Sequence, residues 1–140
     1  MLIDVNNLTI DKINIRKTKN NIHKILKLLN SNLNLSVVFV SPTEIKKINR
    51  GWRGKNTITD ILSFGKLDFP IKQAFNGELI LCLEQIKKQA QRFNRSIEEE
   101  SVWLIVHGIL HLLGYDHQIK KDEKKMNYLA QSIFNKIFNN

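Results

Sequence analysis

The sequence predicts a single α+β domain, α/β-like in the way its strands alternate with helices, built around one mixed sheet. Three observations lead there. At 140 residues the chain suits one domain that buries roughly two-thirds of its unfolded surface. Its 42% hydrophobic and 25% charged content is that of an ordinary globular protein. Short β-branched runs interleave with stretches of helical period, and no repeat, Gly/Ser linker or low-complexity block divides them. Residues 1–140 are therefore read as one domain.

The elements follow in order. "LIDVNN", residues 2–7, is a short strand. Asn20 to Leu29 carries Ile22, Ile25, Leu26, Leu28 and Leu29 at helical spacing, with His23 beside the stripe as a surface residue. "LSVVFV", Leu35 to Val40, is continuous and β-branched, as a buried strand would be. Ser41 then supplies an N-cap, Pro42 suits the first helical position and Glu44 can close a capping box, giving a short helix through Ile48. Thr57 to Phe64 and Gly77 to Leu83 are two further strands. Gly65 to Asn76 between them is the least patterned stretch and is expected to be a mobile loop. A polar-faced helix runs from Glu84 to Phe93. Ser96 with Glu99 forms a second capping box, opening a helix towards Leu113 that Gly114 can stop in the αL conformation. A last helix, from about Lys121 to Phe138, puts Met126, Leu129, Ile133 and Ile137 on one face.

Charge and cysteine content narrow the setting. A formal net charge of +9 favours an anionic partner, because each phosphate neutralised by Lys or Arg releases a condensed counterion. Lysine far outnumbers arginine, a bias that AT-rich coding also produces, so charge permits nucleic-acid contact without establishing it. The lone Cys82 can form neither an internal disulfide nor a thiolate zinc site. The longest apolar run is interrupted by histidines and too short to span a bilayer, and the opening residues lack the pattern of a signal peptide. A cytoplasmic protein with no membrane partner is expected.

That apolar run, "VWLIVHGILHLLGYDHQ", contains three of the four histidines. His107 and His111 are four residues apart on a predicted helix, about 40° apart on one face and one turn from each other. Both rings can thus reach one ion at the ~2.0–2.1 Å of a Zn–N bond. Gly114 turns the chain back and brings His117 towards the same point. One such histidine would be read as a hydrogen-bonded packing residue. Three at this spacing would each bring polar nitrogens into an apolar environment, a cost that one shared metal removes. Zinc is preferred for its affinity for neutral imidazole, one ion per chain. Three ligands leave a fourth position for water, which argues for hydrolysis rather than scaffolding.

Metzincin proteases share this ligand spacing but carry a glutamate base directly after the first histidine. Here that position is Gly108, which offers no base. A metzincin-like metalloprotease or other metal hydrolase stays as an alternative only if Asp60 or Asp116 replaces that glutamate.

The same residues resemble a known family. "HGILHLLGYDH" looks like the H-G-x-L-H-L-x-G-Y-D-H signature of the YbeY family of bacterial rRNA maturation endoribonucleases. "INRGWRGKNTITDILSF" resembles its L-N-x-x-[YF]-R-x-x-x-x-P-T-D-V-L-S-F segment, and "GELILC" its G-D-I-x-I-C strand. The likeness covers about Ile48 to Ile137; the first forty residues match only in pattern. Three positions depart from it: Ile58 and Gly65 stand where proline is usual, and Glu78 where aspartate is common.

The resemblance implies a mixed four-stranded sheet with surrounding helices and a zinc-binding helix–turn, the ligands being His107, His111 and His117. It implies a single-strand-specific endoribonuclease acting in rRNA maturation at the 3′ end of the small-subunit RNA, and in ribosome assembly and quality control. The partners would be ribosomal RNA, the small ribosomal subunit and its assembly factors. Arg53 aligns with a family arginine implicated in activity, and a guanidinium is suited to clamp a phosphate bidentately. Lys55 is the nearest further candidate for the RNA backbone, and Asp116 could orient a ligand histidine or serve simply as a turn residue. Attack by metal hydroxide and attack by the RNA's own 2′-OH both remain open. So does a non-catalytic role as a zinc-containing ribosome assembly factor.

Overall fold

A computed structural model of the chain describes residues 1–115 and 120–139. It is a single α+β unit in which five helices surround a four-stranded mixed sheet. The elements are β1 (Ile3–Asn7), α1 (Ile15–Leu28), β2 (Leu35–Val40), α2 (Pro42–Arg53), β3 (Ile61–Gly65), β4 (Gly77–Cys82), α3 (Leu83–Arg92), α4 (Ile97–Leu112) and α5 (Lys120–Phe138). The sheet order is β1-β2-β4-β3. β1, β2 and β4 run parallel, whereas β3 returns antiparallel to β4, pairing Ile61 with Leu81 and Gly65 with Gly77. Strand β3 is thus an edge, with one side of its backbone unpaired by the sheet.

Side-chain alternation gives the sheet two different faces. Leu79 and Leu81 of β4 join Val37 and Phe39 of β2 in the main core, beneath α1, α4 and α5. Ile80 and Cys82 join Val40, Leu62, Phe64 and Ile45 in a smaller cluster under α2. The expected face of α5 is buried at Met126 and Ile133, with Ala130 and Phe134 added to it.

Most ends fall where local chemistry puts them. The Ser96 hydroxyl accepts from the Glu99 amide at 3.0 Å and the Glu99 carboxylate accepts from the Ser96 amide at 2.9 Å, completing the predicted capping box. Three boundaries shift. Helix α1 begins at Ile15 because the Asn14 side chain caps it, accepting from the Lys17 amide at 3.0 Å; its first turn is polar and carries no apolar repeat. Helix α2 continues past Ile48 to Arg53, where Gly54 stops it at φ 69°. Strand β3 consequently starts only at Ile61, and residues 55–60 become a loop. The 65–76 stretch, expected to be mobile, is anchored by its aromatics: Phe75 is buried, and the Phe69 ring stacks on Phe64 at 4.4 Å.

Helix α4 lies unusually near the sheet. A Cβ added at Gly108 would come within 2.7 Å of Leu79 Cδ2 and 3.0 Å of Ile61 Cδ1. Leu79 is fully buried, so its methyls can shift only against packed neighbours. Replacing Gly108 by Ala should therefore lower stability by about 1 kcal/mol, since overpacking costs ~2 kcal/mol against a gain of ~1 kcal/mol in helix propensity. Urea unfolding checks this; an equal or higher midpoint would contradict the close approach.

Candidate active site

The candidate site is the open edge of β3. Helix α2 and the 55–59 loop wall it on one side and the C-terminal end of α4 on the other. The resulting cleft has a volume of about 850 Å³, and its lining includes Asn49, Arg53, Lys55, Thr57, Ser63 and His111.

Arg53 is held from two directions. Its Nη2 donates to the Ser63 carbonyl at 2.6 Å, satisfying an acceptor on the unpaired side of the edge strand. Its guanidinium also lies 4.7 Å from the Phe64 ring centroid, a cation–π contact. Phe64 is fully buried and backed by Phe69, which Trp52 meets edge-on at 5.0 Å. The loop opposite is fixed by Asn49, buried on α2, whose Nδ2 donates to the Thr57 carbonyl at 3.1 Å. Lys55 is exposed on this wall.

On α4, Trp103, His107 and His111 follow one another at i, i+4 and i+8, and the stripe opens outward. Trp103 and His107 are half-buried, and His111 is exposed in the cleft. His107 Nδ1 lies 2.8 Å from the Trp103 carbonyl. A carbonyl only accepts, so Nδ1 carries the proton, and in the neutral ring Nε2 keeps the lone pair that a metal needs. The Trp103 ring sits 4.5 Å from the imidazole and is pressed from behind by Arg95, at 4.8 Å. Arg95 is itself paired with the buried Glu100 at 2.9 Å. After His111 the helix closes at Leu113, Gly114 takes φ 98° as expected, and the Tyr115 amide donates to the Leu110 carbonyl at 3.0 Å. His117 and Asp116 lie outside the described residues. Among those described, no three His, Cys, Asp or Glu side chains form a group able to hold a metal. The chemistry of the His107–His111 pair, one turn apart with the tautomer of the first fixed, nonetheless fits two-thirds of an imidazole site.

Of the two carboxylates weighed as a peptidase's base, Asp116 lies outside the described residues and Asp60 does not line the cleft, where the carboxylate among the lining residues is Asp68. Asp60 turns towards α3, where it accepts from Gln89 Nε2 at 3.3 Å, and Gln89 reaches on to Glu100 at 3.0 Å. Cys82 is fully buried with Val40 and Ile45 on the α2 face of the sheet, away from α4, and burial raises its thiol pKa.

The model of the endoribonuclease YbeY family matches residues 4–138. The chain belongs to that family. An endoribonuclease YbeY of Mycoplasmopsis synoviae is 45% identical over 122 residues, which span 84% of this chain and 78% of that one. One from Persephonella marina is 40% identical over 123 residues, 85% and 80% of the two chains. Among solved structures, the solution structure of TM1509 from Thermotoga maritima is similar with a TM-score of 0.72 and 27% identity, covering 99% of this chain and 90% of that one.

Set against the YbeY pattern, the departures are local. Ile58 is half-exposed at the cleft wall and Gly65 closes β3 beside Asp68. Glu78 faces the other side of the sheet, in a separate hollow with Asp4, Ser36 and Lys72, so it does not support the histidines. Reading the sequence for chemistry missed Asn49 and Ser63, although both stand inside the YbeY-like segment that carries Arg53. It also missed Trp103, whose role is a backbone carbonyl that no side-chain motif announces.

Burial raises the Glu78 carboxyl above the ordinary glutamate range, and the Lys72 ammonium offsets only part of that. Between the ordinary value and the elevated one, the folded state keeps a proton that the unfolded state releases, so stability falls as pH rises through that window. Glu78→Gln should therefore melt higher than the unsubstituted protein at pH ~7, with the advantage shrinking as pH falls through that window and absent below the ordinary glutamate value of about 4.3. Thermal melts across this range check it; a pH-independent difference would contradict it.

Proposed function

We propose that the chain is a metal-dependent endoribonuclease that cuts single-stranded RNA in the β3-edge cleft. The observation that carries this reading is that Arg53 and His111 line the same cleft from opposite walls. A guanidinium offers five N–H donors and Ser63 occupies one, so a phosphate can be clamped by a group already fixed in place. Holding Arg53 rigid before substrate arrives lowers the reorganisation needed as charge develops on the phosphate oxygens. Lys55 adds a second positive charge on the same wall for the RNA backbone.

His107, His111 and His117 would hold one zinc ion, which when bound acidifies water and stabilises phosphate charge. Trp103 keeps His107 in the tautomer that ligation requires, and Asp116 would orient a neighbouring ligand. The cellular setting proposed is the cytoplasm, in maturation of the 3′ end of the small-subunit ribosomal RNA and in ribosome quality control, with the small subunit and its assembly factors as partners. No helix among the described residues is long and apolar enough to cross a membrane. The protease alternative loses support twice, because a side chain at position 108 would enter the sheet rather than the cleft, and Asp60 is tied to Gln89.

Arg53→Ala should lower kcat/KM for single-stranded RNA by about 100-fold or more, while zinc content stays unchanged and stability falls only by about the 1 kcal/mol of the lost Ser63 hydrogen bond. Unaltered cleavage would remove Arg53 from the site, and absence of cleavage by the unsubstituted protein would favour a non-catalytic assembly factor.

A further inference from the structure

Helix α2 carries more charge than the cleft uses. Lys46, Lys47, Arg50 and Arg53 are all exposed, and the helix has a single acidic residue, Glu44, in its first turn. At about 100° per residue, Lys46, Arg50 and Arg53 fall within an arc of about 60°, with Glu44 on the far side. The arc borders Asn49 and Arg53, the two α2 residues that line the cleft, so the stripe is continuous with it. The ion pairs among the described residues involve Lys17, Lys87 and Arg95 and none of these three.

Such a row is unfavourable by itself. Like charges at i, i+4 repel along a helix. The macrodipole favours Arg50 and Arg53 near the C-terminus but gives nothing to Lys46, near the other end. An anion spanning all three would reverse the balance, and a row running more than one helical turn suits a chain of regularly spaced anions better than a single ion.

We propose that Lys46 and Arg50 form a phosphate track that carries one flank of a single-stranded RNA along α2 and delivers the scissile region to Arg53. The proposal rests on the RNA-cleaving reading above. The track binds backbone and not bases, so it adds affinity without sequence preference.

The test is the salt dependence of binding to a fluorescent oligouridine, followed by anisotropy in the cold with strand integrity checked afterwards. Each phosphate contact to a single strand contributes about 0.7 to the slope of log affinity against log salt. Lys46→Gln/Arg50→Gln should therefore reduce the slope by about 1.4, corresponding to roughly tenfold weaker binding near 0.15 M salt. In cleavage, KM should rise with kcat little changed. The control Lys24→Gln/Lys27→Gln removes the same two charges from the exposed side of α1 and should leave the slope unchanged. Equal slopes for the α2 variant and the unsubstituted protein overturn the track while leaving RNA binding in place, as do equal losses from both double variants. No binding of the unsubstituted protein to RNA overturns the RNA reading itself.

Discussion

The site depends on how closely one helix backbone can lie against the sheet. At Gly108 the distance from α4 to Leu79 and Ile61 leaves no room for a Cβ. Helix α4 therefore passes directly over the β3–β4 pair, and the Trp103–His107–His111 stripe emerges where β3 has no further strand beside it. A larger residue at 108 would require Leu79 and Ile61, or the helix that carries both imidazoles, to shift. The same contact explains why a metzincin-like base cannot operate from that position. Glycine here is a spacing element first, and its lack of a catalytic side chain follows from that.

An exposed edge strand is normally a hazard, because its free amides and carbonyls invite another strand. Here the exposed edge is put to use. Arg53 satisfies the Ser63 carbonyl and rests on Phe64, so the group that would blunt the edge is also the one suited to hold a phosphate. Behind it, Phe69 and Trp52 turn the 65–76 segment into a support for Phe64. On the α4 side, the Arg95–Glu100 pair and the Trp103 ring provide the matching support for His107. Arg53 and His107 are thus each held by aromatic packing and by a backbone carbonyl.

What could be read from the sequence was what local chemistry determines. Both capping serines, the positive-φ glycine after α4, the β-branched strand β2 and the four-residue spacing of His107 and His111 are all set within a few residues of chain. His117, the third proposed ligand, and Asp116 belong to the same motif but lie outside the described residues. What could not be read depends on distant partners. Asn49 earns its place only by meeting Thr57, and Arg95 by meeting Glu100 across a helix turn and Trp103 beyond it. The end of α2 is hard to read because its last turn is exposed and carries no apolar repeat, although Gly54 marks the stop. The extra helical turn matters for function, since it brings Arg53 onto Ser63 and completes the charged row with Lys46 and Arg50.

Family membership makes the chain an endoribonuclease, and the Nδ1 contact of His107 and the hold on Arg53 fit the proposal that it cuts RNA in the β3-edge cleft. The most direct measurement incubates the purified protein with single-stranded RNA and with an unstructured peptide side by side, before and after removal of bound metal by chelation. The account predicts RNA cleavage that is lost on chelation and regained with zinc, and an intact peptide throughout. Cleavage of the peptide with the RNA left whole would contradict it.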